Sequence, residues 1–470
     1  MDIGPVLRHL ASPARLPVRS DIELAESVSI LAKQAKTETV GTPYLKTPSP
    51  VAVASILQTR PADILRELGV ATTFLTRSPF LSVSQHWAHV RYCATLEAGR
   101  EQLMRLTSYA SKDVVHHHKV TQSEQLGIGL ALVVARAVLE RRHPGWLFHV
   151  VDADVALRHG YVNDVTGRVG NKPGTNKRPD YFLIGWRRAG STTKVRIAVL
   201  ECKGTHGDES HVYRQLAKAC LQVGTVAIGD HPMYGLMVAS RLLRSGVSSY
   251  VLDPPGDDEL WTGPTSDYDE LLAEQPDELE WRARQQAPQP DAADPAGGTA
   301  PSTPTTAAAT PTPPYVIPAS HRSWLAQVMN RTVAASVLLF AGDSTTAVDY
   351  TSPRQRGYSS AMLPLEDTWP DTISAQVRMP SGPVLTGTSH LMPLNDGRTL
   401  EVFRGIDRRL HRDLKEGNLS RYARNAGWLR RWWNAARSRS RDTVSVGADG
   451  TALIIRVLDR RERPSRRRYR

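Results

Sequence analysis

The chain has 470 residues, 40% hydrophobic and 23% charged, and its 59 Lys and Arg against 47 Asp and Glu give a formal net charge of +12. That length predicts two or three domains, and the composition is ordinary for a soluble globular protein. Three cysteines, Cys93, Cys202 and Cys220, form no CxxC pair, which excludes a disulfide framework or zinc cluster and fits a reducing compartment.

In chain order, the N-terminus lacks an apolar core of signal-peptide length. The most apolar runs, 127–139 and 334–341, fall short of the ~20 residues that cross a bilayer, so no membrane association and a cytoplasmic location are expected. Residues 1–105 carry helical patterns at 21–36 and 62–68 and are expected to form a mainly helical N-terminal region with no recognisable chemistry. From 106 to 250 the order of elements is readable. The run 123–142 (SEQLGIGLALVVARAVLERR) has a helical period and stops before His143-Pro144-Gly145. Strand-like runs follow at 147–157, 180–187 and 194–203, then a helix over 208–223 with Asp208 near its N-terminus, then a strand over 233–239. A meander closed by a helical crossover gives a small mixed sheet flanked by helices, an α/β domain over 106–250 in which the last strand runs parallel to a neighbour.

The acidic stretch 251–284, with Asp257, Asp258, Glu259, Asp267, Asp269 and Glu270, reads as a solvated face or as a screen against nucleic acid on that side. Residues 285–318 are rich in Pro, Ala and Thr and are expected to be an extended linker. Beyond it a separate C-terminal α+β domain is expected over 319–459. It would hold a helix at 323–340, strands within 380–404 and 444–458, and an Arg-rich helical stretch between them. Residues 460–470 form a basic tail. The excess of positive charge, much of it at this end, favours a polyanionic partner.

Two of the strands carry chemistry. Asp180 opens one of them after a basic, glycine-containing loop at 168–179, in which Lys172, Lys177 and Arg178 are candidate nucleic-acid contacts. The apolar run 195–200 ends in Glu201, Cys202 and Lys203. Alternation along a strand places Glu201 and Lys203 on one face and Cys202 on the other. Asp180 and Glu201 can share Mg²⁺ (or Mn²⁺) through hard carboxylate oxygens, with the Cys202 carbonyl as a further ligand. Lys203 can orient a water and offset charge in phosphodiester hydrolysis.

Pro179-Asp180 and Glu201-Cys202-Lys203 resemble the two halves of the PD-(D/E)XK motif of the restriction-endonuclease-like nuclease superfamily. The resemblance covers roughly 106–245, about a third of the chain. It implies a restriction-endonuclease-like core (helix, three strands, helix, strand) and a Mg²⁺-dependent nuclease acting on DNA in restriction, anti-phage defence or repair. It also implies that Glu124 is an upstream acidic metal residue and that Gln215 lies by the site, with Arg214 or Lys218 toward phosphate. An inactive nuclease fold that only binds DNA is the alternative, and a plain Glu201–Lys203 ion pair on an unrelated α/β fold is a third reading.

Other features are weaker. His116, His117 and His118 point different ways on any regular element and are expected in a solvated or phosphate-facing loop. His206 and His211 read as solvated loop residues, and Asp152 and Asp154 as neighbours on one face of the first strand. Between Arg404 and Arg439 ten arginines surround Trp428, Trp432 and Trp433. Arg424, Arg430 and Arg431 are expected to contact nucleic acid, and the tryptophans either stack on bases or anchor the helix in the core. The C-terminal domain is also the expected route to a protein partner or a homodimer.

Overall fold

The computed structural model describes residues 3–37, 45–73, 81–159, 161–163, 178–277, 280–282, 315–356, 373, 375–380, 382–440 and 442–458. Lys172, Lys177, most of the expected linker and the basic tail lie outside the described residues. The protein is mixed α/β, and a curved mixed sheet dominates it.

The first 105 residues are built into that sheet. Strand β1 (Ala14–Arg19) is followed by helix α1 (Ile22–Thr37), strand β2 (Ile56–Thr59) and helix α2 (Pro61–Ala71). β2 pairs antiparallel with β1, so two strands of the region expected to be mainly helical extend the central layer. Short alternating strands such as ARLPVR, buried at every second residue, give little signal against the stronger helical periods around them.

Helix α3 (His116–Arg142) leads into β3 (Leu147–Asp152) and a short helix, α4 (Ala153–Leu157). The expected strand over 147–157 therefore ends early. The Asp152 side chain accepts a hydrogen bond from the Val155 amide at 2.9 Å and caps α4, a use of Asp that competes with strand continuation. Next come β4 (Tyr181–Ala189), β5 (Thr192–Thr205), helix α5 (Glu209–Val223), β6 (Gly235–Leu242), β7 (Val247–Asp253), β8 (Glu259–Pro264) and α6 (Thr265–Ala273). The sheet order is β2-β1-β7-β6-β5-β4-β3, and β8 also pairs with β5. β3, β4 and β5 form the expected antiparallel meander, and β6 joins β5 in parallel after the α5 crossover. β1 returns parallel to β7.

β5 is the spine. Burial alternates over its first residues, then becomes continuous from Ile197 to Cys202, as befits a strand with neighbours on both edges and helices on both faces. Ala198, Leu200 and Cys202 face the core beneath α3, while Ile197 and Val199 face the core beneath α5.

The acidic stretch is largely engaged rather than solvated. Asp258 pairs with Arg142 (3.2 Å), His143 (2.9 Å) and Arg196 (3.2 Å), and Asp257 with Arg322 (2.9 Å). The end of the expected linker is also structured, since Tyr315–Ile317 pairs parallel with Val226–Ile228.

Helix α7 (Arg322–Ala341) follows. Among the described residues it marks the one segment, Ala319–Ala341, long and apolar enough to cross a membrane, and 89% of its apolar window is buried inside the protein. The C-terminal part adds β9 (Val384–Pro393), β10 (Thr399–Asp407), α8 (Arg408–Lys415), α9 (Leu419–Arg439), β11 (Thr443–Val446) and β12 (Thr451–Leu458). With Ala375–Arg378 as one edge, these strands form a five-stranded antiparallel sheet ordered Ala375–Arg378, β9, β10, β12, β11. This part has a sheet of its own but shares its cores with the rest. One core joins Val151, Phe182 and Val212 to α7, Leu410 and Trp433, and another joins Leu16, Leu65 and Leu130 to Leu400 and Ile455.

Charge also crosses these boundaries. Arg66 on α2 pairs with Glu67 at 2.6 Å and lies 3.9 Å from Asp449, and Arg136 on α3 reaches Glu67 at 3.1 Å. Arg66 further donates to Ser445 and Thr451, each at 3.1 Å. Removing one partner strands the others away from water, so Arg66→Ala is expected to lower stability by about 3–5 kcal/mol. Chemical denaturation of the variant against the wild type checks this.

Candidate active site

The loop after residue 177 delivers Asp180 to the start of β4, opposite the C-terminal half of β5. Tyr181 pairs with Leu200, so Asp180 meets Glu201 and Cys202 where the two strands part. The Asp180 amide donates to Glu201 Oε2 at 3.2 Å, and the Cys202 amide donates to Asp180 Oδ2 at 2.8 Å. Lys203 Nζ binds Glu201 Oε1. Glu201 and Lys203 thus share a face, as alternation requires, while the Cys202 side chain sits in the core beneath α3.

Glu201 is 0% exposed. Burial, with Asp180 beside it, pushes its carboxyl up to about 8. Burial likewise raises Asp180, against the pull of Lys203 and the Cys202 amide. Burial alone would lower the Lys203 ammonium, but the Glu201 and Asp180 carboxylates outweigh it and hold it above its ordinary value. Two acids face one ammonium here, so full ionisation leaves one negative charge in excess in a site poor in water. A proton or a cation must offset it.

Gln215 on α5 donates from Nε2 to the Gly204 carbonyl at 3.4 Å, and its buried Oε1 has no hydrogen-bond partner among the described residues. Asp152 lies one strand over, its carboxyl raised first by burial and further by Asp180.

The other candidates have the following settings. Glu124 is exposed on α3, and the partner on which its charge registers is Tyr92, whose hydroxyl burial chiefly raises. Asp154 lies on α4 and pairs with Arg158 and Arg178. Arg178 also donates to the Tyr315 hydroxyl at 2.9 Å, so this expected phosphate contact is engaged inside the protein. Arg214 and Lys218 are exposed on α5. The three adjacent histidines begin α3 rather than lying in a loop. His206 is held between the carbonyls of Leu242 (2.9 Å) and Lys119 (3.1 Å), and is not solvated. Arg424 and Arg431 are exposed, and Arg430 reaches Glu140 at 3.4 Å. Among the described residues no three His, Cys, Asp or Glu side chains gather as a metal-binding group.

Two glycines that carry no chemistry of their own fix this geometry. A Cβ on Gly204 would lie 1.8 Å from the Ser123 carbonyl, and one on Gly127 would lie 2.9 Å from Gly204 Cα. Backbone meets backbone here, so α3 rests directly on β5 beside Lys203. Gly127 of α3 and the Gly after Lys203 are the sequence signals for this contact, while Gly129 seats α3 on the Ile64 carbonyl of α2.

Compared with protein-family models, curated proteins and solved structures, the chain has no match in any of the three.

Two outcomes follow from this geometry. Gly204→Ala must push α3 off β5, and is expected to cost at least about 1–3 kcal/mol, the usual range for overpacking, with a lowered melting temperature as the readout. In metal-free buffer, the folded protein holds the Glu201 proton between the ordinary value of 4.5 and about 8, while the unfolded chain has released it. Stability contributed by this group therefore falls as pH rises through that window. Melting temperatures measured across it are expected to decline less in Glu201→Gln than in the wild type.

Proposed function

We propose that the protein is a metal-dependent nuclease that hydrolyses phosphodiester bonds of DNA at Asp180, Glu201 and Lys203. The observation that carries this reading is the meeting of two desolvated carboxyl groups and a lysine where β4 and β5 part. In support, the order α3, β3, β4, β5, α5, β6, with β6 parallel to β5, is the one the PD-(D/E)XK resemblance implies for a restriction-endonuclease-like core.

The donor set suits Mg²⁺, which takes one or two carboxylates and fills its remaining positions with water and phosphate. The excess negative charge and the orphaned Gln215 Oε1 both fit a cation with its waters beside Gly204. Asp180 and Glu201 would hold the ion, and the Cys202 carbonyl is the third candidate donor. When bound, the ion supplies positive charge at the scissile phosphate and acidifies a water. Lys203 orients the attacking water from the same face and offsets charge developing on the phosphate. Its bond to Glu201 keeps the ammonium aimed and charged. Gln215 holds the Gly204 carbonyl on one side and offers its free oxygen to a water proton on the other.

One observation favours the second reading, a nuclease fold that binds DNA without cutting it. Glu124 is exposed on α3, and no third acidic ligand joins Asp180 and Glu201 among the described residues.

Cleavage of plasmid and single-stranded DNA with Mg²⁺ or Mn²⁺ separates the two. Cleavage is expected from the wild type and is expected to fall by at least about 100-fold in Asp180→Ala and Lys203→Ala, the scale of losing a charge that stabilises the transition state. Mg²⁺ is also expected to raise the wild-type melting temperature, more so at pH 8 than at pH 6, because the ion competes with the Glu201 proton. Asp180→Asn should remove that rise. DNA binding with no cleavage and no metal effect would select the second reading.

A further inference from the structure

Helix α9 divides its residues between two faces. Leu419, Tyr422, Ala426, Leu429, Trp433 and Ala436 recur at three- and four-residue spacing and are buried, and the Trp433 indole donates to Asp407 at 2.9 Å. Trp433 is therefore the tryptophan that anchors the helix. On the opposite face, Trp428 is 61% and Trp432 45% exposed. Their ring centroids lie 5.5 Å apart at 42°, and the Arg409 guanidinium sits 5.0 Å from the Trp432 ring centre. Arg424 and Arg431 are exposed one turn before and one turn after Trp428. Every charge on α9 is positive. The acids that reach this side are already engaged, Asp269 by Arg188 at 3.2 Å and Glu140 by Arg430 at 3.4 Å.

Single exposed apolar residues are ordinary. Two adjacent indoles ringed by guanidinium groups, with the nearby carboxylates Asp269 and Glu140 held by Arg188 and Arg430 and Asp269 also drawn by Arg424, are a different surface. Each indole offers a flat π face that a base can stack on, and each guanidinium a planar fork of donors that matches phosphate oxygens. A duplex hides the faces of its bases, so such a surface selects unpaired strands. Charge complementarity favours a polyanion over a protein surface of mixed charge.

We propose that this face of α9 binds single-stranded nucleic acid, stacking bases on Trp428 and Trp432 and holding phosphates with Arg409, Arg424 and Arg431. The surface is separate from the site at Asp180. Gly427 of α9 faces Leu147, at 3.9 Å from its built Cβ. β3 then runs from Leu147 to Asp152, whose partner is Tyr181. At ~3.3 Å per strand residue, the platform lies on the order of 17 Å from Asp180. A strand held on α9 is thus gripped several nucleotides away from the site, and binding does not require cleavage.

The test is fluorescence anisotropy with a labelled oligothymidylate in EDTA, so that binding is read without metal and its outcome stays independent of the cleavage assay. Trp428→Ala with Trp432→Ala is expected to weaken binding by about 5-fold to 100-fold per tryptophan. Replacing both by Phe should restore most of the affinity. Both positions are exposed, so an unchanged melting temperature is the folding control. Arg424→Gln with Arg431→Gln is expected to flatten the dependence of log K on log salt by about 0.7 per lost phosphate contact. Equal affinity of the wild type and the double Ala variant overturns the proposal. An equal loss for a blunt duplex of the same length overturns it too, because that pattern is charge without stacking. A dimer in sedimentation that the double Ala variant abolishes, with oligothymidylate binding unmoved, overturns it in favour of a second copy of the chain.

Discussion

Four charged side chains largely withdrawn from water hold the molecule's parts together. Arg66 and Glu67 come from the N-terminal region, Arg136 from the helix that covers the central strand, and Asp449 from the turn before the last strand. In place of water they have one another, nearby hydroxyls, the Thr451 amide and the charge of Asp63. Such a network adds little net stability over a well-packed apolar alternative, but losing any member is costly. Its effect is to fix which surfaces meet. His149 belongs to the same neighbourhood. Burial depresses it to about 4, and its ring lies flat on Trp186 at 4.3 Å, so it sits there as a neutral aromatic plate.

The candidate site obeys the opposite rule. Around Arg66 the charges close on one another, whereas at Asp180, Glu201 and Lys203 they do not balance. The core network's charges balance without an outside ion, although Glu67 Oε2 and two Arg136 nitrogens have no hydrogen-bond partner among the described residues, while the strand-end cluster needs a proton or a cation. That difference, rather than burial alone, separates a structural ion pair from a site able to take a ligand. The direct contact of α3 with β5 at Gly127 and Gly204 matters for the same reason. It leaves no slack beside Lys203, and so keeps the imbalance fixed in space.

Much of the central domain was legible because its elements are long and their periods strong. The α3 helix, the β3–β4–β5 meander, the α5 crossover and parallel β6 all fall near their expected positions, and so does the meeting of Asp180 with Glu201 and Lys203. What escaped depends on partners distant in sequence. Little local marks β1 as a strand, because it is short and its partners, β2 and β7, come later in the chain. The acidic stretch looked solvated because Arg142, Arg196 and Arg322, which neutralise it, come from three other segments. Asp154, expected on a strand, and Arg178, expected at nucleic acid, pair with each other because α4 turns the chain. For Trp428, Trp432 and Trp433, the helical period alone could not say which side is the core, and the buried stripe through Tyr422 and Leu429 assigns it.

The pairing of β1 with β7 bears on the order in which the molecule is made. Val18 lies beside Ser249, so β1 can pair with β2 early but cannot join the rest of the sheet through β7 until the intervening strands have followed. Closing so long a loop carries an entropic cost that local contacts do not repay, and chains dominated by such pairings fold slowly. During that interval the edge of β7 and the apolar seat of α7 stand open to other chains. Unpaired edges and apolar surface exposed in this way are the features that divert chains toward association.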